Sequence, residues 1–297
     1  PVADEPGRGA RIHIRLPCGV PVVCLTFPTV NCLRMPDHAG NPPTVVAPLE
    51  DVLRGVAEAG LGHVGIDGFT MGEYISRRGA PDRLAALLTR YGLHCTDIGV
   101  LRIGNPTETI TAARTLAALA QATGAKICVA AVDSDPAAES TTALLARCAD
   151  LFSAVGVRIA LEFLPYTPLG TLVEARDLCA AVGWQRCGVL VDSWMFFRGQ
   201  NSWADLRALT ADQVAYVQLD DAPEPIGPDP VYESRHRRVL PGQGVFDLAE
   251  FVRVLQEIRF DGPVGVEVLS DEFRVLDPAD QGRAAATAAR AVWAALC

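Results

Sequence analysis

Three carboxylates stand inside strand-like apolar runs of this 297-residue chain: Glu162 in ALEFL, Asp192 in VLVDSW and Glu267 in VGVEVL. Burying a charge in such a run is costly unless a counter-charge or a cation meets it. A fourth run, YVQLDD, contributes Gln218 and Asp220. Together Glu162, Asp192, Gln218 and Glu267 offer three anionic oxygens and one amide oxygen, a hard, oxygen-only donor set for one divalent cation. That set suits Mn2+ or Mg2+, admits Co2+, and favours Zn2+ less because no nitrogen or sulfur ligand is present. Any one of these residues reads equally well as the partner of an arginine; the set of four is what points to a metal.

The elements that must position these residues alternate along the chain. β-branched runs predict strands at 20–27, 63–68, 94–103, 126–133, 158–164, 188–194, 214–220 and 263–269. Helical patterns fall near 47–60, 80–92, 107–124, 136–155, 171–182, 203–210, 246–259 and 278–296. Several end in a glycine just before the next strand (AEAG, ATGA, SAVG, AAVG), as expected of helix C-caps. Eight strands in strict alternation with helices predict an α/β (β/α)8 barrel, one domain over residues 1–297. An open doubly wound sheet is the competing architecture, but no glycine-rich dinucleotide fingerprint follows the first strand. Residues 1–19, with the alternating RIHIRL at 11–16, read as an N-terminal extension or a hairpin at the barrel floor. Pro/Gly-rich segments at 36–43 and 223–230 read as loops. The four candidate ligands lie late in the last four strands, so closure of the barrel gathers them at its catalytic rim.

The composition narrows the partners. The chain is 49% hydrophobic and 21% charged with a net charge of −9, which fits a globular protein and argues against a polyanionic nucleic-acid partner. No apolar run reaches the ~20 residues of a membrane span, and the first residues lack the layout of a secretion signal. The expectation is a cytoplasmic protein that binds a small molecule, with no nucleic acid and no membrane, and with a homo-oligomer left open. Nine cysteines form no CxxC pair and read as small buried hydrophobes. Lys126 is the single lysine and opens strand four at the wrong end for a Schiff base, so an aldolase of that type is disfavoured.

The runs ALEF, LVDSWMFFRG, YVQLDDAP, RHRRVLPGQG and GPVGVEVLSDEF resemble the sugar phosphate isomerase/epimerase family, the xylose isomerase-like TIM barrels, and are most similar to its 3-dehydroshikimate and inosose dehydratase branch. The likeness is strong from about 157 to 273 and rests on the strand–helix rhythm elsewhere. It implies that Glu162, Asp192, Gln218 and Glu267 bind the metal and that Glu162 and Glu267 are the catalytic acids. Relatives usually read D-x-W-H after the sixth strand, whereas this chain reads Asp192-Ser193-Trp194-Met195. A thioether neither accepts nor delivers a proton, so the proton work passes to Glu162 or Glu267, or the reaction differs.

On the substrate side the resemblance selects Ser234 and Arg238 from ESRHRRVLPGQG, with Arg238 as an anion or oxygen clamp. The bland alternative is that this cluster pairs with Asp220, Asp221 and Glu233 to brace its loop. Arg102 is a second candidate clamp. Asp67 and Asp133 read as hydroxyl ligands or as caps of the following helix. Trp194 and Met195, with Phe196 and Phe197, are candidates for an apolar wall, and His236 for a substitute base. The implied function is a divalent-metal-dependent isomerase or epimerase acting on a keto-sugar, its phosphate or a cyclitol through a metal-stabilised enediolate. The alternatives are a dehydratase sharing the first half-reaction and a non-catalytic ligand-binding barrel, for which Met195 is the reason. An apurinic-type endonuclease is disfavoured, because that activity uses many histidine ligands and this chain has five histidines.

Overall fold

Strands that carry β-branched residues on both faces are stable only where both faces are covered, as in a closed parallel sheet wrapped by helices. The computed structural model, which describes residues 13–14, 23–36, 42–78 and 81–295, shows this arrangement. The barrel strands are β1 (Val23–Pro28), β2 (His63–Asp67), β3 (His94–Ile103), β4 (Ile127–Val132), β5 (Arg158–Glu162), β6 (Cys187–Asp192), β7 (Val214–Leu219) and β8 (Pro263–Val266). Every residue of β4, β6 and β7 is buried. Neighbouring barrel strands pair in parallel, and β1 closes the ring by pairing with both β8 (Leu25 opposite Val264) and β2 (Phe27 opposite Val64). The result is the expected (β/α)8 TIM barrel. Its interior is filled by Ile127, Val129, Ala160, Leu190, Ala215 and Tyr216, a small cluster drawn from β4–β7.

The outer layer comprises α1 (Leu49–Glu58), α2 (Gly68–Arg78), α3 (Pro81–Tyr91), α4 (Pro106–Thr123), α5 (Glu139–Ser153), α6 (Leu172–Val182), α7 (Ser193–Arg198), α8 (Trp203–Arg207), α9 (Pro230–His236), α10 (Leu248–Glu257) and α11 (Pro278–Ala294). The local chemistry explains where several begin and end. Asn105 caps α4 by accepting hydrogen bonds from Thr107 and Glu108 N–H, with Pro106 in the first turn. Thr171 and Glu174 form a reciprocal capping box on α6. The glycines expected to stop helices, Gly60, Gly124, Gly156 and Gly183, all have positive φ (76°, 77°, 73° and 107°). Among the described residues, no helix is long and apolar enough to cross a membrane.

The structure also departs from the sequence reading. Three helices fall where none was expected: α2, α7, whose Ser193 and Trp194 were expected to end a strand, and α9, in an expected loop. The first strand begins at Val23, and residues 20–22 of the expected strand lie outside the described residues. Of RIHIRL only His13–Ile14 is described; it pairs antiparallel with Val23 and Cys24 at the amino-terminal end of β1, the floor of the barrel. Residues 37–41 of the Pro/Gly-rich segment at 36–43 also lie outside the described residues, and the 223–230 segment is a loop whose last residue starts α9.

The first and last helices of the outer layer meet through small residues. A Cβ on Gly55 of α1 would lie 2.6 Å from the backbone nitrogen of Ala279 in α11, and one on Gly282 would lie 2.8 Å from Ala59 Cβ. Gly55→Val therefore forces the two helices apart and is expected to cost about 1–3 kcal/mol of stability. Urea unfolding measures the loss, and an unchanged midpoint contradicts this packing.

Candidate active site at the carboxyl ends of the strands

Glu162 ends β5, Asp192 ends β6, Gln218 is the penultimate residue of β7, and Glu267 follows β8 directly. Register places them together: Gln218 lies opposite Asp192 on one side and Gly265 on the other. Glu162, Gln218 and Glu267 line one cavity of about 740 Å3, together with Tyr166, Met195, Ser234, Arg235 and Arg238. This is the size of a small-molecule site.

A single buried guanidinium organises the acids. Arg238 is 1% exposed. Its Nη1 donates to Asp220 Oδ2 at 2.6 Å, Asp192 Oδ2 at 3.0 Å and Glu267 Oε2 at 3.3 Å. Its other nitrogens are held by Ser234, Nε to the carbonyl at 2.9 Å and Nη2 to Oγ at 3.1 Å, and the group lies 5.8 Å from the centre of the Trp194 ring. Asp192 does two jobs, since its Oδ1 caps α7 by accepting from Met195 N–H at 2.9 Å. Asp220 is further fixed by the Ser193 hydroxyl, which donates to its Oδ1 at 2.5 Å. Asp221 accepts from the N–H groups of Gly242 and Phe246 and so ties down the PGQG turn.

One cation against four buried carboxyls leaves the site acidic. Burial, then Asp192 and Glu267, hold Glu162 well above the usual carboxylate range, with Arg238 and Arg102 opposing. Burial pushes Glu267 up to about 7 against the pull of Arg238. Burial and Asp192 likewise raise Asp220. Burial works against the charge on Arg238, but Asp192, Asp220 and Glu267 together outweigh it.

Glu162, Gln218 and Glu267 offer the cavity oxygen donors that fit a divalent cation, whereas Asp192, the fourth expected donor, does not line it and has its oxygens bonded by Arg238 and Met195 N–H. Gln218 Nε2 donates to Glu267 Oε1 at 2.7 Å, which turns the amide oxygen away; that oxygen is buried with no hydrogen-bond partner. A buried carbonyl oxygen left open beside excess negative charge is the donor a hard cation takes. Among the described residues no three His, Cys, Asp or Glu side chains already surround one point; Arg238 Nη1 stands between Asp192, Asp220 and Glu267 instead.

The remaining sequence candidates divide. Met195 lines the cavity. Arg102 also lines it but is bound to Asp133 through Nε at 2.8 Å and a second contact from Nη2. Trp194 is buried beneath Arg238 and does not line the cavity, and Phe196 and Phe197 pack with Trp203, Phe246 and Phe251 in the core. His236 does not line it either: its Nδ1 lies 3.0 Å from Asp271 Oδ1 and its Nε2 lies 3.4 Å from the Pro36 carbonyl. Asp67 caps α2, accepting from Phe69 and Thr70 N–H, and also lines the cavity. Arg237 pairs with Glu233 at 2.6 Å, so part of the basic cluster does brace its loop. Tyr166, whose hydroxyl lies 3.5 Å from Ser234 Oγ, and Asp97 are cavity residues that the sequence reading passed over. Tyr166 carries no distinguishing sequence signal. Asp97, in HCTDIGV, is a carboxylate in an apolar strand like the others.

An inosose isomerase of Bacillus velezensis is 31% identical over 138 residues, 46% of this chain and 48% of that protein. A 3-dehydroshikimate dehydratase of Pseudomonas aeruginosa is 31% identical over 131 residues, 44% of this chain and 20% of that protein. The matched region thus spans about half the length of the isomerase and a fifth of the dehydratase. Among solved structures, an IolI protein with a bound zinc atom superposes with TM-score 0.79 at 21% identity, covering 92% of this chain and 99% of that one. A D-allulose 3-epimerase from Methylomonas sp. in complex with D-allulose gives TM-score 0.67 at 18% identity over 91% and 96% of the two chains. These structures share the fold. The family model described as xylose isomerase-like TIM barrel matches residues 53–293, most of the chain and all of the site, and the chain belongs to that family.

Proposed function

We propose that the chain is a divalent-metal-dependent isomerase or epimerase that acts on a keto-sugar, its phosphate or a cyclitol. The observation that carries this reading is a pair of cavity-lining carboxyls, Glu162 and Glu267, both held above the ordinary carboxylate range beside an open Gln218 amide oxygen. Glu162, Asp192, Gln218 and Glu267 would hold the cation, whose chemistry is to polarise a substrate carbonyl as a Lewis acid. The names of the relatives, inosose isomerase and D-allulose 3-epimerase, support the substrate class.

The proton chemistry falls to this chain's own side chains. A carboxyl near neutral pKa is suited both to take a proton from the carbon beside a carbonyl and to return it. Glu267, raised to about 7, meets that requirement without a histidine at position 195, and burial holds Glu162 above the usual carboxylate range beside it. Met195 instead gives the cavity an apolar surface beside them. Arg238 holds Asp192 and Asp220 in place and stays charged, so it orients without exchanging protons. The dehydratase reading draws on one further observation: the Tyr166 phenol lines the same cavity and is anchored only loosely to Ser234, in position to protonate a departing hydroxyl.

The test is incubation of purified protein with ketoses, inososes and 3-dehydroshikimate in deuterated water, with EDTA or with Mn2+. Exchange at the carbon beside the carbonyl and a new epimer, both lost with EDTA, are expected; absorbance of a conjugated product marks dehydration. Absence of exchange with every metal and substrate leaves a non-catalytic barrel.

Two stability measurements probe the same site. Arg238→Met strands Asp192 and Asp220 as buried carboxylates without a cation and is expected to cost about 3–5 kcal/mol in urea unfolding. The second uses pH. The Glu267 carboxyl is raised from 4.5 to about 7 in the folded protein, so the fold binds this proton more tightly than the unfolded chain does. That contribution is complete below the unfolded value and is lost as pH rises through about 7. The Tm of metal-free protein should fall across this window, and an added divalent cation should raise Tm more above it than below. A flat profile contradicts the assignment.

A further inference from the structure

Asp97 lies early in the ten-residue strand β3, well below the residues that end β5 and β6, yet it lines the same cavity as Gln218 and Glu267. It is 6% exposed, and its Oδ1 is buried with no hydrogen-bond partner. The fully buried Tyr216 hydroxyl lies beside the same carboxyl as its polar neighbour, leaving Oδ1 itself open. Two glycines make the room: a Cβ on Gly65 would lie 2.5 Å from Asp97 Oδ1, and one on Gly265 would lie 2.4 Å from the Tyr216 hydroxyl oxygen. A buried carboxylate oxygen left open in a space kept clear by glycines is costly for stability alone. Such a cost is retained where a ligand completes the bonds.

We propose that Asp97 is a substrate-contacting residue at the cavity floor that accepts a hydrogen bond from a ring hydroxyl on the edge of the substrate farthest from the carbonyl. This rests on the polyol reading above and deepens it. An anionic floor facing an acidic rim selects a neutral polyhydroxylated ring and repels a substrate that leads with a carboxylate. Burial, which pushes the Asp97 carboxyl up to about 7 despite the neighbouring Tyr216 hydroxyl, is consistent with a group awaiting a partner.

The experiment is titration calorimetry of wild-type protein and Asp97→Asn with scyllo-inosose and with its analogue lacking one ring hydroxyl remote from the carbonyl, alongside thermal scans of both proteins without ligand. Asp97→Asn is expected to weaken inosose binding roughly tenfold or more, to bind the two ligands about equally, and to raise Tm because a buried unpartnered charge is removed. If wild-type protein binds neither ligand, the polyol reading itself falls and this assignment with it. If wild-type protein binds inosose and Asp97→Asn binds within twofold of it, only the Asp97 assignment falls. A lowered Tm with unchanged affinity shows Asp97 to be a structural group bridged to Tyr216 through water, and overturns the proposal. Should Asp97→Asn fail to fold, Gly65→Ala, which pushes on the same carboxylate, takes its place, with the same loss of discrimination expected and its absence overturning the assignment.

Discussion

The rim of this barrel depends on one buried cation. Arg238 is the single positive charge among Asp192, Asp220 and Glu267, and it is held from behind by both polar groups of Ser234. Without it, two fully buried carboxylates would face one another across adjacent strands. With it, the site still carries more acid than base, and the surplus appears as raised carboxyl pKa values and an unused amide oxygen. A site of this kind is stable enough to fold and unsatisfied enough to bind.

The same interaction links the site to its frame. Asp192 uses one oxygen for Arg238 and the other for the first turn of α7, whose aromatic residues pack on α8 and α10. Ser193 begins that helix and bonds Asp220 on the next strand. The loop after β7 supplies Ser234 and Arg238, and Asp221 fastens its return. Each acid is therefore positioned by backbone that also terminates a strand or starts a helix, which is how a barrel gives rigid support to groups that repel one another.

Much of this was legible in the sequence, because the signals were physical ones. Glycines that needed positive φ marked helix ends, and apolar runs on both faces marked barrel strands. Carboxylates in those runs marked the rim. What escaped were features set by tertiary distance. The short helices α7 and α9 carry their caps, Asp192 and Asp229, in plain view, but Asp192 had been read only as a ligand and Asp229-Pro230 only as a loop. Arg238 is a substrate clamp by the resemblance and a partner of Asp220 by the alternative reading; the structure shows the pairing with Asp220 and adds Asp192 and Glu267, whose closeness is set by the fold. Asp97, a carboxylate in an apolar strand like Glu162, was passed over; a cavity that reaches that deep is a property of side-chain volume, glycines included, and not of strand rhythm.

The closure of the ring through β1 carries a consequence for how the molecule is built. Glu162, Asp192, Gln218 and Glu267 all belong to the second half of the chain, while the strand that seals the barrel between β8 and β2 lies near its start. Contacts of such long sequence separation carry a high loop-closure cost, which makes this seam a slow pairing to form. A barrel open at that seam has no closed rim, and the repulsion among the four residues is weakened wherever water reaches them. The electrostatic strain of the site is thus borne in full only by the closed ring.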